Sequence, residues 1–381
     1  MRILSYPFMK FSLQQEQALA AVSVWFRQRG FPVFRLFGYA GTGKTTLACH
    51  FAKMIDGPVQ FAAFTGKAAQ ILRSKGASNA RTIHSLIYHR RGEETVEDGE
   101  TGKTSITPTF SLNRQSLVAT ASLIVVDECS MVDEILGRDL MSFGTPILVL
   151  GDPGQLPPIS GGRFFTEHEP NFLLTEIHRQ ALDNPIVRLA LDVREGRDIA
   201  YGDYGVAKLI PRKEITQEML LAADQVLVGI NRTRRRYNKH LRELKGFTSE
   251  YPQAGDKLVC LRNDASKGLL NGSLWKVVTS FRETAKPSIN LLVTPEEDER
   301  GITKIKLLKA QFQDFGDEIL WSLKKNYDDF DYGYALTVHK AQGSQWSNIV
   351  LFDESFAFRD IRKRWLYTAI TRAAEQLIII R

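Results

Sequence analysis

Apolar positions in this chain come in short, β-branched or aromatic bursts at 33–37, 59–64, 123–126 and 147–150, each followed by a polar or helix-compatible stretch. A continuous apolar run of four to six residues fits a strand buried on both faces, so these bursts predict the parallel sheet of a first α/β domain. A second set at 226–230, 349–352 and 377–380 predicts another sheet of the same class. The expected fold class is therefore α/β, with domains at 1–175 and 176–381.

Two stretches break this alternation. Residues 88–114, with Gly92, Gly99 and Gly102 among many threonines and charges, read as a β-hairpin inserted in the first domain. Residues from about 251 to 323 alternate in short runs around Asn271-Gly272, which predicts a small antiparallel β module inserted in the second. No internal repeat or low-complexity tract is evident.

At 381 residues the chain exceeds one ordinary core, and its 43% hydrophobic and 24% charged content is that of a globular protein. No apolar run nears the roughly 20 residues that span a bilayer, and the first residues lack the apolar core of a signal peptide, so no membrane and a cytoplasmic location are expected. Cys49, Cys129 and Cys260 are odd in number and far apart, which argues against a disulfide framework or a zinc site. A net charge of +7 is modest, so a polyanion would be held by a local track. The run Arg232-Thr233-Arg234-Arg235-Arg236-Tyr237-Asn238-Lys239 is either such a track or a solvated helix face.

The sharpest chemical signal is Gly38-Tyr39-Ala40-Gly41-Thr42-Gly43-Lys44-Thr45, placed between a predicted strand and a predicted helix. Glycines let backbone N–H groups close around phosphates, a lysine reaches the terminal phosphates, and the hydroxyl after it completes a Mg²⁺ site. Gly41, Thr42, Gly43, Lys44, Thr45 and Thr46 are thus the expected ATP-binding residues. The burst at 123–126 ends in Asp127-Glu128, where Asp127 would hold Mg²⁺ with Thr45 and Glu128 would orient the attacking water. One strand later, Gly151-Asp152-Pro153-Gly154-Gln155 offers the Gln155 amide as a γ-phosphate sensor.

In this order the segments resemble those of the superfamily 1B helicases, in the RecD-like and Dda-like branch, over nearly the whole chain. Asp127-Glu128-Cys129-Ser130-Met131 and residues 151–158 carry the resemblance with the phosphate loop. The likeness implies two RecA-like domains with ATP and Mg²⁺ between them and an SH3-like β module. It implies Gln17 as adenine reader, Arg179 and Arg372 as arginine fingers, and Gly343 as a point of close backbone approach near the nucleotide. For nucleic acid it implies Thr65, Lys67, Thr82 and His84 in the first domain, and Asn231, Thr337, His339 and Lys340 in the second.

The implied activity is a monomeric ATP-dependent DNA helicase moving along single-stranded DNA, 5′ to 3′, and opening duplex at single-strand/double-strand junctions. Replication or recombination proteins are the expected partners. The hairpin is expected to be the separating wedge by position alone, with Phe110 as its stacking tip. Two alternatives stand beside this reading: a translocase that displaces proteins without separating strands, and a nucleotide-gated binding module or small-molecule kinase.

Overall fold

The computed structural model describes residues 11–97, 104–157, 164–177, 183–262, 264, 267–269, 271–280, 287–296, 301–313, 321–324 and 326–381. The chain divides into two compact units, one comprising Met1–Phe64, Ala68–Ile87 and Arg114–Arg188, the other Thr65–Lys67, Tyr88–Asn113 and Leu189–Arg381.

In chain order, β1 (Val33–Gly38), β2 (Val59–Ala63) and β3 (Arg81–Thr82) precede a hairpin of β4 (Tyr88–Glu97) and β5 (Thr104–Leu112). Then follow β6 (Leu123–Asp127), β7 (Ile147–Gly151) and β8 (Phe172–Leu174). The first unit's sheet runs β3-β2-β6-β7-β1-β8, parallel at every pairing. All four apolar bursts of the first set are strands of this sheet. Leu123, Ile124, Val125 and Val126 are each fully buried because both faces of β6 are covered. Leu123 and Val125 join Trp25, Phe34, Phe51 and Phe61 in one cluster, while the alternating Ile124 and Val126 face the other side.

Helix α1 (Leu13–Gln28) starts where Ser12 accepts from the Gln15 N–H and Gln15 returns its side chain to the Ser12 N–H. It ends at Arg29, whose left-handed backbone (φ 53°) lets its N–H reach the Trp25 carbonyl.

The second unit contains a sheet of β9 (Gly202–Asp203), β10 (Ala207–Ile210), β11 (Gln225–Val228), β17 (Ala335–Thr337), β18 (Trp346–Phe352) and β19 (Ala373–Ile380). Its order is β17-β11-β18-β19-β10-β9, parallel except at the β9 edge. The expected α/β class with two parallel sheets is present.

Inserted between β11 and β17 is a five-stranded antiparallel sheet, ordered β15-β14-β13-β12-β16. Its strands are β12 (Lys257–Cys260), β13 (Leu274–Ser280), β14 (Ser288–Pro295), β15 (Thr303–Leu308) and β16 (Phe330–Tyr332), so the fifth lies beyond the expected bound near 323. The Asn271-Gly272 signal points to the right pairing, since β12 and β13 are antiparallel neighbours and Gly272, at φ 84°, donates to the Cys260 carbonyl.

Residues 88–97 and 104–112 form the expected antiparallel ribbon, with a register shift between Arg90 and Gly92. Two expectations change here. The ribbon groups with the second unit, its β5 lying along the short helix Trp321–Lys324, rather than with the first. Phe110 pairs with Arg90, two rungs from the Tyr88–Leu112 base, so it is not at the tip; residues 98–103 lie outside the described ones.

Candidate nucleotide and nucleic-acid sites

Because every strand of the first sheet points the same way, the loops leaving β1, β2, β3, β6 and β7 all emerge at one edge, where ligands of open α/β sheets bind. The loop after β1 turns through Gly41 (φ 80°) and Gly43 (φ 81°), both left-handed and costly for a residue with a Cβ. Gly38 is constrained differently: a Cβ there would lie 2.7 Å from both Leu174 Cβ and Thr42 Oγ1. Gly43 caps helix α2 (Lys44–Lys53), whose free N–H groups face the loop.

Lys44 folds its ammonium over the loop, donating to the carbonyls of Gly38 (2.6 Å) and Tyr39 (2.9 Å). Thr42 is fully buried and donates to the Tyr39 carbonyl at 2.8 Å, while Gly41 and Thr46 are exposed. The Thr45 hydroxyl donates to Asp127 Oδ2 at 2.9 Å, joining two segments 82 residues apart in sequence. Asp127 Oδ1 accepts from the Glu128 N–H at 2.8 Å.

Glu128 is left-handed (φ 52°, ψ 45°). Apart from Arg29 at a helix end, it is the one residue other than glycine that the described part of the chain holds in the left-handed region. A non-glycine residue held there stores strain, a feature concentrated at functional sites. Burial, with Asp127 and Glu128 nearby, pushes the Cys129 thiol far above its ordinary range, so it remains a protonated, inert thiol behind the carboxylates.

Gln155 is 8% exposed, and its Oε1 has no hydrogen-bond partner among the described residues. A buried amide oxygen left unpaired is unfavourable unless a ligand or water satisfies it. Its loop is fixed by Asp152, which accepts from Gly154 N–H at 2.9 Å through its side chain and from Gln155 N–H at 3.2 Å through its carbonyl.

On α1, Gln17 is exposed, whereas Gln15 is buried and donates to the Thr42 carbonyl at 3.0 Å. Gln14 accepts from the N–H groups of Thr175 and Glu176. The glutamine that braces the phosphate loop is therefore Gln15, a role not apparent in the sequence because its partner is a carbonyl 27 residues away.

Of the other first-domain positions, Thr65 follows β2 and is partly buried. Thr82 is buried and spends its hydroxyl at the start of the helix Ile83–Ile87, donating to Ser85 Oγ (2.9 Å) and accepting from Ser85 N–H (3.2 Å). His84 stands edge-on to Phe64 at 6.2 Å, and desolvation lowers its pKa against an opposing pull from Asp133. The Lys67 side chain and Arg179 lie outside the described residues.

In the second unit, Arg372 is 3% exposed. Its guanidinium donates to the Thr368 carbonyl (3.1 Å), the Ser344 carbonyl (3.2 Å) and Thr371 Oγ1 (3.2 Å), with no carboxylate among its described partners. A buried guanidinium with only neutral acceptors keeps its charge uncompensated, the state expected of a group that meets an anion from elsewhere.

Thr337 ends β17, is buried, and accepts from Lys340 N–H at a long 3.4 Å. His339 tilts against Phe358 at 5.4 Å, and burial lowers its pKa. Gly343 is left-handed at φ 78°. The segment from Thr337 to Ser344 crosses the depth of the sheet. It leaves the edge where β11 and β17 end and arrives at the edge where β18 starts beside Arg372.

Asn231 opens the helix Asn231–Leu244 and accepts from Arg234 Nε at 3.2 Å. The N-terminus of that helix already holds an anion: Glu354, 4% exposed, accepts from Gly229 N–H (2.7 Å), Ile230 N–H (3.0 Å) and Thr233 Oγ1 (2.5 Å). Backbone donors there are consumed internally.

Residues 12–212 match a family model described as an AAA domain, and residues 332–380 one described as a UvrD-like helicase C-terminal domain. The ATP-dependent RecD2 DNA helicase of Deinococcus radiodurans is 27% identical over 96% of this chain and 48% of its own length. A conjugal transfer protein TraA of Rhizobium radiobacter is 26% identical over 89% of this chain and 30% of its own. The chain thus spans about half the first of these relatives and less of the second. Among solved structures, Bacteroides Pif1 bound to ssDNA has a TM-score of 0.56 at 17% identity, covering 98% of this chain and 92% of that one. Candida albicans Pif1 reaches 0.53 at 16%, covering 98% and 95%. These structures bear out the two-sheet helicase fold, and the relatives bear out the RecD-like resemblance read from the motifs.

Proposed function

The chain belongs to the AAA-domain family, and from that premise we propose that it is an ATP-dependent DNA helicase that moves along single-stranded DNA and opens duplex ahead of it. The observation that carries the reading is the 2.9 Å contact between Thr45 and Asp127, formed beside a lysine folded over a glycine loop and a glutamine with an unsatisfied amide oxygen.

Thr45 and Asp127 fit a Mg²⁺ ion as hydroxyl and carboxylate oxygen ligands, and bound there the ion would neutralise phosphate charge. Lys44 exchanges its loop carbonyls for phosphate oxygens, and the N–H groups at the start of α2 hold the chain of phosphates. Glu128 accepts a proton from the attacking water, and Gln155 positions that water with the amide oxygen that now lacks a partner. Arg372 supplies charge to the transferred phosphoryl group. His84 in the first unit and Thr65, Lys67, Asn231, His339 and Lys340 in the second grip the strand.

Movement is proposed to run 5′ to 3′. The test is unwinding of duplexes carrying a single-stranded tail on one end. Release of 5′-tailed substrates, lost in Lys44→Ala, is expected; release of only 3′-tailed substrates would overturn the direction. Hydrolysis indifferent to added single strands would overturn the motor itself and favour a nucleotide-gated binding module.

A further inference from the structure

The arginine run that the sequence leaves open resolves, in the helix Asn231–Leu244, into two faces. Arg234, Tyr237, Asn238, Leu241 and Arg242 are buried, at helical spacing, whereas Arg232, Arg235, Arg236 and Lys239 are all exposed. The buried arginines are neutralised, Arg234 by Asp331 and Arg242 by Asp256. Among the described residues, Arg232, Arg236 and Lys239 make no ion pair.

The exposed four stand at i, i+3, i+4 and i+7, one stripe of about 10 Å along the axis. Like charges at i, i+4 repel, and this stripe contains two such pairs, 232/236 and 235/239. A fifth cation adjoins it: Arg212 and Arg236 both bias the Tyr237 phenol toward ionisation, although burial outweighs them and raises its pKa. A positive edge of this density attracts an anionic chain.

Beside the stripe is a cavity of about 420 Å³ lined by Arg236 and Lys239, by Ile215, Leu220 and Tyr237, and by one carboxylate, Glu243. The stripe begins next to Asn231, at the sheet edge where β11 and β17 finish and where strand contacts are proposed above.

We infer that the outer face of this helix is a second contact for single-stranded nucleic acid, with Arg232, Arg236 and Lys239 on phosphates and the adjoining cavity receiving an unstacked base. The inference rests on the helicase reading and extends it, leading the strand off the sheet edge and down the side of the second unit. Guanidinium groups favour phosphate through bidentate hydrogen bonds, and the apolar and aromatic part of the cavity lining suits a base that is not paired, which selects a single strand over duplex.

The test compares the full chain with the variant R232Q/R236Q/K239Q, measuring affinity for labelled single strands of about 6 and about 20 nucleotides across a salt series. For the longer strand, the slope of log affinity against log salt is expected to fall by about 2, since each phosphate contact contributes about 0.7. The short strand and the strand-free ATPase are expected to be unchanged, and R232K/R236K to keep the parent slope. An unchanged slope on the longer strand, with the parent protein binding it, overturns this inference alone. So does loss of polyglutamate binding in the variant with the strand slope intact, which assigns the stripe to an acidic protein. Should the parent bind neither strand, the helicase reading falls too.

Discussion

Glu128 shows how much one backbone angle conveys. Its left-handed conformation turns the chain immediately after β6 and sets its side chain beside Asp127, whose own carboxylate is committed to Thr45. Glu128→Gln retains shape and is expected to leave nucleotide binding intact while slowing turnover by at least about 10²-fold; equilibrium binding measured beside single-turnover hydrolysis checks it. Arg372→Ala is expected to spare binding and slow turnover about 10³-fold. Lysine is expected to be a poor substitute, because one ammonium group cannot span the Thr368, Ser344 and Thr371 acceptors together. The residues legible in the sequence were those whose chemistry depends on near neighbours, as in the glycine loop. Gln15 was not legible, because its role depends on a carbonyl brought close only by folding. Thr82, read as a strand contact, has its hydroxyl engaged in starting a helix, and a lone hydroxyl in a sequence suits either use.

Among elements, the long apolar strands were legible, and the two-residue β3 and β9 were not, because so short an edge strand is defined by its neighbour rather than by its own pattern. The helix Glu134–Met141 holds a glycine in its middle for a reason visible only in packing: a Cβ on Gly137 would lie 2.1 Å from Phe164 Cδ1. Alanine gains about 1 kcal/mol of helix propensity there but overpacks the contact by roughly 1–3 kcal/mol, so Gly137→Ala is expected to lower the melting temperature. At the second unit's core, Asp256 is fully buried and accepts from Arg242 through both oxygens (2.8 and 2.9 Å) and from Tyr334 at 2.9 Å. Asp256→Ala leaves the guanidinium unpaired and is expected to cost about 3–5 kcal/mol in denaturant unfolding; Arg242→Met with Asp256→Leu is expected to cost much less.

Across the whole molecule, modest net charge hides local contrast, with a cationic helix face set outside a neutralised interior. Acid sensitivity follows from its histidines. Burial holds His339 below the ordinary value near 6.5, so the unfolded chain binds the extra proton first. Stability is therefore expected to be full above pH about 6.5 and to decline as pH falls through that value, an effect that denaturant titrations across pH register and that His339→Gln reduces. The hairpin was legible as an interruption of the α/β alternation, but its grouping with the second unit was not, since that depends on contacts with residues more than 200 positions away. Removing residues 88–114 is expected to abolish unwinding while strand-stimulated hydrolysis persists.

The stretch from Thr337 to Ser344 acts as a ruler. Eight residues connect a hydroxyl at one rim of the sheet to the carbonyl that seats Arg372 at the other, and successive turns, with Ala341 N–H on the Thr337 carbonyl and Ser344 N–H on the Ala341 carbonyl, set the spacing between them. Two extra glycines after Lys340 are expected to leave both ends individually competent, so the protein would still hold DNA and still consume ATP at its resting rate. The ratio of hydrolysis with and without a strand would drop toward one, an engine running with its clutch disengaged.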